Sequence, residues 1–221
     1  MSKISVVICD DQSLIVSSLK LILETDEHIE VVGTADNGSA GIEMVQKLNP
    51  TLALMDIQMP QMDGIEATAK IVADTATKVI VLTTFNRDDY LFDAMDAGAS
   101  GFLLKNSEPE TLITAVHQVA AGNGLLSPEV TLKLIKRRTS KALDHAGMQE
   151  TLESEQLKTL TEREFQVLHE LAKGKNNQEI AASLALSEAT VKTHLSNLLA
   201  KLHLRDRVQG VLFAHRAGLI Q

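Results

Sequence analysis

Apolar residues fall in short blocks along the first half of the chain, and two kinds of block alternate. Ile4–Cys9, Glu30–Ala35, Leu52–Met55, Lys78–Leu82 and Gly101–Leu104 are short runs with the length of strands, and Ile4–Cys9, rich in β-branched residues, and Leu52–Met55 read as buried ones. Between them lie longer stretches with helical spacing: Ser13–Glu24, Ser39–Leu48, a helix starting near Gly64, one from about Arg87 to Ala97, and one from Glu108 to Ala121. In the first helix Leu14, Leu19, Leu21, Ile22 and Leu23 predict a wide apolar face. Asn49-Pro50 closes the second, and Pro109 suits the first turn of the last. A strand–helix unit repeated five times predicts an α/β fold with a parallel sheet covered by helices on both faces, since right-handed crossovers leave few other arrangements.

The pattern then changes. Ser127–Arg138 has a Ser cap, a first-turn Pro and apolar Val130, Leu132, Leu134 and Ile135, which predict a short helix. Its Lys136-Arg137-Arg138 end is either an ordinary complement to the helix dipole or a contact to DNA. The stretch from Thr139 to Lys158 is polar and acidic, a linker. Thr161-x-x-Glu164 is a capping box that opens a helix whose Phe165, Leu168 and Leu171 face a core and which Gly174 ends. Asn177–Leu184, Glu188–Lys201 and Arg205–Ala217 make three more helices, with a tight turn at Leu186-Ser187. Val191, Leu195, Leu198 and Leu202 are core positions of the third. Two short helices joined by a tight turn predict a helix-turn-helix, whose second helix enters the major groove. The expected division is 1–122, an α/β domain; 123–158, helix and linker; and 159–221, a smaller all-α domain.

Composition sets bounds on function. At 221 residues, 44% apolar and 23% charged, the chain has the make-up of a soluble globular protein, and no apolar run approaches the roughly 18 residues of a membrane span. The Met1-Ser2-Lys3 start runs straight into the first strand and lacks the features of a signal peptide, so a cytoplasmic protein is expected. Cys9 lies in an apolar run and is expected to be an inert core residue. The net charge of −8 is unevenly spread: from Lys158 onward nine Lys and Arg face six Asp and Glu, leaving twelve against 23 in the rest. The last part alone is suited to a polyanion.

In open parallel sheets ligands sit beyond the carboxyl ends of the strands. That rule selects Asp10 and Asp11 after strand one, Asp56 after strand three, Thr83 and Thr84 after strand four and Lys105 after strand five. Three converging carboxylates call for a hard divalent cation, and all-oxygen ligation suits Mg²⁺. A Thr83 hydroxyl and a Lys105 ammonium would complement an added phosphoryl group, with Asp56 as its acceptor. Each residue also has an ordinary alternative: Thr in a strand, a solvated Lys, an Asp pair capping the first helix.

Asp10-Asp11, the D-I-Q-M-P-Q-M-D-G run from Asp56, T-T-F from Thr83 and G-A-S-G-F-L-L-K ending at Lys105 resemble the receiver domain of bacterial two-component response regulators, a flavodoxin-like fold. The resemblance implies phosphoryl transfer from a sensor histidine kinase to Asp56, with self-catalysis in the presence of Mg²⁺ held by Asp10, Asp11, Asp56 and the backbone carbonyl of Gln58. It also implies that Thr83 and Phe102 are switch residues, although Phe102 reads equally as a core aromatic. Asn106 follows Lys105 where family members often have Pro. The run from Leu160 through T-V-K-T-H-L-S-N-L-L-A-K-L resembles the LuxR-type DNA-binding domain, and the two halves together resemble a NarL/FixJ-type regulator. By that resemblance Lys192, Thr193 and Ser196 face the groove of double-stranded promoter DNA, while Asn177, Thr190, His194 and Lys201 contact phosphates. Ser196 departs from members with Lys there. A homodimer on activation is implied.

Two other classes compete. A Mg²⁺-dependent phosphatase would use Asp56 as nucleophile, but Gln58 stands where its second acid carboxylate would be. A DNA-binding regulator with a silent receiver, governed by protein partners or concentration, has no use for the complete set of strand-end residues.

Overall fold

A computed structural model of the chain describes residues 3–84, 88–123 and 155–219. The predicted helix at Ser127–Arg138, most of the linker and Phe85 lie outside the described residues. The described residues fall into two units, one up to 123 and one from 155.

The first unit alternates strand and helix: β1 (Ile4–Cys9), α1 (Ser13–Leu23), β2 (Ile29–Ala35), α2 (Gly38–Leu48), β3 (Leu52–Asp56), α3 (Gly64–Asp74), β4 (Lys78–Thr83), α4 (Asp88–Asp96), β5 (Gly101–Leu104) and α5 (Pro109–Ala120). All pairings are parallel, in the order β2-β1-β3-β4-β5. From β1 the chain moves to β2 on one side and then to β3 on the other, so the topological switch point lies between β1 and β3.

Strand alternation sorts the core into two layers. Val6, Ile8, Leu52, Leu54, Ile80 and Leu82 pack with Leu19 and Leu23 of α1 and Leu112, Val116 and Val119 of α5. The intervening residues Val7, Cys9, Ala53, Met55, Val79 and Val81 are just as buried and serve the other face, where Gly41 of α2 lets that helix settle close to Cys9 and Met55. Burial on both faces explains why these strands are runs of apolar residues rather than alternating ones.

The apolar face expected of α1 is corrected. Leu19 and Leu23 are buried with Ile15, Val16 and Ile22 packed beside them, but Leu14 and Leu21 are 77% and 72% exposed. They are seven residues apart, two helical turns, and form a separate outward stripe.

The second unit is helical: α6 (Glu162–Ala172), α7 (Asn177–Leu184), α8 (Glu188–Lys201) and α9 (Arg207–Arg216). Its core joins Val167, Leu168, Leu171, Ile180, Val191, Leu195, Leu198, Leu202 and Phe213. The capping box of α6 forms as expected: the Thr161 hydroxyl accepts from Glu164 N–H and the Glu164 carboxylate accepts from Thr161 N–H. Phe165 does not join this core; it is 37% exposed, at the margin of the face that Leu168 and Leu171 bury. The last helix starts at Arg207 rather than Arg205, because the buried Asp206 is its cap and accepts from Gln209 N–H.

Candidate functional site

Strand register places the acidic site. Cys9 of β1 pairs with Met55 of β3, so Asp10 and Asp56 leave neighbouring strands at the switch point. Asp56 in turn pairs with Leu82, and Thr83 with Leu104, which sets Thr83 and Lys105 one step further along the same edge. The Lys105 N–H donates to the Thr83 carbonyl at 2.8 Å, fixing the end of β5 to the end of β4. Asp10, Asp56 and Thr83 are all at least 96% buried, and Asp11 is exposed at the rim.

The loop after Asp56 is held against it. Gly64 N–H donates to the Ile57 carbonyl at 2.9 Å, and a Cβ on Gly64 would lie 1.8 Å from the Asp56 carbonyl oxygen. Only glycine permits this approach. Gln58 is exposed, and its side-chain amide donates to Tyr90 of α4 at 3.3 Å.

One carboxylate oxygen from each of Asp10, Asp11 and Asp56 lies within 4.8 Å of the others. The Lys105 ammonium reaches into the group, 2.6 Å from Asp10 Oδ2 and 2.9 Å from Asp56 Oδ2. The ordinary alternative for the Asp pair, capping α1, does not apply, since Gln12 is the N-cap and makes no side-chain cap: Asp10 Oδ1 accepts from Gln12 N–H, while its other oxygen faces Lys105. Burial pushes the Asp56 carboxyl above its ordinary value, with hydrogen bonding and charge from Lys105 opposing and Asp10 adding to the rise. Burial alone would lower the Lys105 value, but hydrogen bonds and charge from Asp10 and Asp56 outweigh it and leave the ammonium firmly protonated. Three carboxylates against one ammonium leave an excess of two negative charges, and every available donor is oxygen. This set fits a hard divalent cation. Beside it, burial pushes the Cys9 thiol up to about 12, with Asp10 adding, so it stays an inert thiol. Phe102 is half-buried on the edge strand and pairs with Val81. The Lys105–Asn106 peptide is trans, and Ser107 N–H turns the chain by donating to Leu104 at 3.0 Å.

In the second unit the turn between α7 and α8 is three residues, with Ala185 in the left-handed region at φ 54° and Ser187 capping α8 through Thr190 N–H. Val191, Leu195, Leu198 and Leu202 turn one side of α8 inward. The opposite side presents Lys192, Thr193 and Ser196, all exposed. Asn197 is exposed beside them and was not anticipated from the sequence. Asn177, Thr190 and His194 are half-buried on the flanks. Thr190 shares a 2.8 Å hydroxyl contact with Ser187, and the Thr193 hydroxyl donates back to Ala189 at 3.0 Å. Lys201 is exposed, but its ammonium donates to Glu164 Oε2 at 2.6 Å, so its charge is already matched within the domain. Sequence spacing gave no sign of this pair, whose members are 37 residues apart.

The described residues thus hold an α/β unit with an acidic, lysine-paired site at its switch point and a helical unit with a helix-turn-helix. Residues 6–117 match the response regulator receiver domain family, and residues 158–214 match the luxR family of bacterial regulatory proteins. The chain is 39% identical over 218 residues to the transcriptional regulatory protein LnrK of Bacillus subtilis, covering 98% of each. It is 37% identical over 219 residues to the response regulator protein VraR of Staphylococcus aureus, covering 99% of each. The crystal structure of response regulator ChrA, from a heme-sensing two-component system, matches with a TM-score of 0.53 at 31% identity over 100% of both chains. The chain belongs to the response regulators with a receiver domain and a LuxR-type DNA-binding domain, and is a transcription regulator of the two-component kind. Those domains imply a kinase and DNA as partners. Among the described residues no helix is long and apolar enough to cross a membrane.

Proposed function

We propose that phosphorylation of Asp56 switches this chain between states of different DNA affinity, the phosphoryl group coming from a phosphohistidine of a sensor histidine kinase. An Asp56 carboxylate oxygen attacks phosphorus, the P–N bond to the imidazole breaks, and an acyl phosphate remains on the aspartate. The observation that carries this reading is the meeting of Asp10, Asp11 and Asp56 around Lys105 at the switch point. Lys105 is to exchange its Asp56 contact for a phosphoryl oxygen, and Thr83 is to donate its hydroxyl to another. Phe102 then turns inward behind Thr83. Asp10, Asp11, Asp56 and the Gln58 backbone carbonyl would hold Mg²⁺, which supplies positive charge to the transferring group when bound. Without that charge the doubly negative site repels an incoming phosphoryl dianion.

The same reading gives residues 1–122 as the receiver, 123–158 as the connection and 159–221 as the DNA-binding domain. The exposed face of α8 enters the major groove of promoter DNA, with Lys192, Thr193 and Ser196 toward the bases and Asn177, Thr190 and His194 toward phosphates. Lys201 reaches a phosphate only by leaving Glu164. The active form is a homodimer on paired half-sites, in the cytoplasm where the chromosome is. The test is intact mass after incubation with acetyl phosphate, with Mg²⁺ or with EDTA. One phosphoryl group is expected on wild type in Mg²⁺, and none on Asp56→Ala or in EDTA. Unchanged mass in Mg²⁺, with undiminished DNA binding, would refute the switch.

A further inference from the structure

Arg207, the first residue of α9, is a cation with no carboxylate in contact among the described residues. Its guanidinium turns across the domain to the start of α7, where Nη1 donates to Asn177 Oδ1 at 3.1 Å and Nη2 donates to the Lys175 carbonyl. Burial pulls its pKa down to about 10, partly offset by Glu179, so it remains charged at neutral pH. The rest of that corner is also tied down. Lys175 donates to Glu170 and to Ser183, and Asn176 and Glu179 form a reciprocal capping box around the start of α7.

The consequence lies in the two ends of the Asn177 amide. An amide offers an acceptor oxygen and a donor NH₂, and a phosphate accepts only. A freely turning Asn177 would present either end to DNA. A guanidinium has donors only, so Arg207 fixes which end is used inward. Among the described residues Nδ2 has no protein acceptor, and Asn177 is half-buried rather than enclosed.

We propose that Arg207 is a positioning residue for DNA: by occupying Asn177 Oδ1 it sets the amide with Nδ2 outward, as a donor ready for a backbone phosphate. This rests on the reading of the second domain as a DNA binder that uses Asn177. A neutral amide displaces no counterion, so the arrangement strengthens binding without steepening its salt dependence.

The test uses the full chain, treated with acetyl phosphate and Mg²⁺, and a nonspecific 30-base-pair duplex, since phosphate contacts do not depend on sequence. Affinity is measured across a salt series for wild type, Asn177→Ala, Arg207→Lys, Arg207→Gln and the double variant Asn177→Ala with Arg207→Lys, with melting temperature recorded for each. Asn177→Ala is expected to lose about tenfold in affinity, the loss of one hydrogen bond to a charged group, with an unchanged log–log salt slope. Arg207→Lys keeps the charge but not the planar fork. It is expected to lose a similar factor, again at unchanged slope, and the double variant is expected to be no weaker than Asn177→Ala alone. Multiplying losses in the double variant, or wild-type affinity of a folded Arg207→Lys, would overturn the positioning role. A slope flattened by about 0.9 in Arg207→Gln would do so too, because it would make Arg207 itself a phosphate contact. Should the Arg207 variants not fold, wild-type affinity of Asn177→Ala alone suffices to overturn the proposal. Failure of the wild type to bind the duplex would instead remove the DNA-binding reading on which it rests.

Discussion

Asp56 carries its charge at a cost. Burial raises its carboxyl pKa above the unfolded value of 3.8 despite Lys105. A carboxyl that binds its proton more tightly when folded favours the native state fully below the unfolded value, and that advantage is lost as pH rises through the folded one. At neutral pH the fold therefore bears an unfavourable charge, and Asp56→Asn is expected to raise the melting temperature of the receiver. The gain is to shrink as the pH approaches 3.8 and to be reduced by Mg²⁺ in the wild type; calorimetry at several pH values checks it. Glu170 is the opposite case. Hydrogen bonds from Lys173 and Lys175 hold it at about 2, against an ordinary 4.5, with burial opposing. Its contribution is complete above 4.5 and lost as pH falls towards 2. Glu170→Gln is expected to cost about 1 kcal/mol at neutral pH, since both lysines are part-exposed, and to flatten the acid limb, read from histidine proton signals during denaturation.

At the scale of elements, the β3–α3 connection carries the most constraint. Gly64→Ala would drive a Cβ into the Asp56 carbonyl oxygen, a backbone atom that cannot step aside. The receiver is expected to lose about 3 kcal/mol or more, or to shift the loop and lose phosphorylation by acetyl phosphate; retention of both would show the connection to be slack. The inner strands β1, β3 and β4 were legible because residues such as Val6–Cys9 and Leu52–Met55 are buried on both faces and must be apolar throughout, whereas the edge strand β2 alternates exposed with covered residues and was legible from its β-branched composition. The outward turn of Leu14, Leu21 and Phe165 was not legible, since spacing identifies a helix but not which of several apolar residues meets the core. Asp56, Asp10, Thr83 and Lys105 were legible because strand ends in a parallel sheet share one edge. Arg207 was not: its partners are about 30 residues away and no local pattern marks them.

For the whole molecule, the homodimer proposed above would turn the second contact with DNA into an intramolecular one. Phosphorylation is therefore expected to raise affinity for a duplex with two inverted half-sites by at least about tenfold, and to leave affinity for a single half-site nearly unchanged. Equal gains on both duplexes would place the effect in each DNA-binding domain rather than in pairing. The outer face of α8 has a bearing on such a regulator's history. Lys192 and Ser196 are exposed and carry none of the packing that Val191, Leu195 and Leu198 supply from the other side of the helix. On the proposed reading of that face as the one that meets the bases, a gene copy can exchange those letters at little cost to folding, so that one inherited frame would acquire a new address on the chromosome while keeping its old means of control.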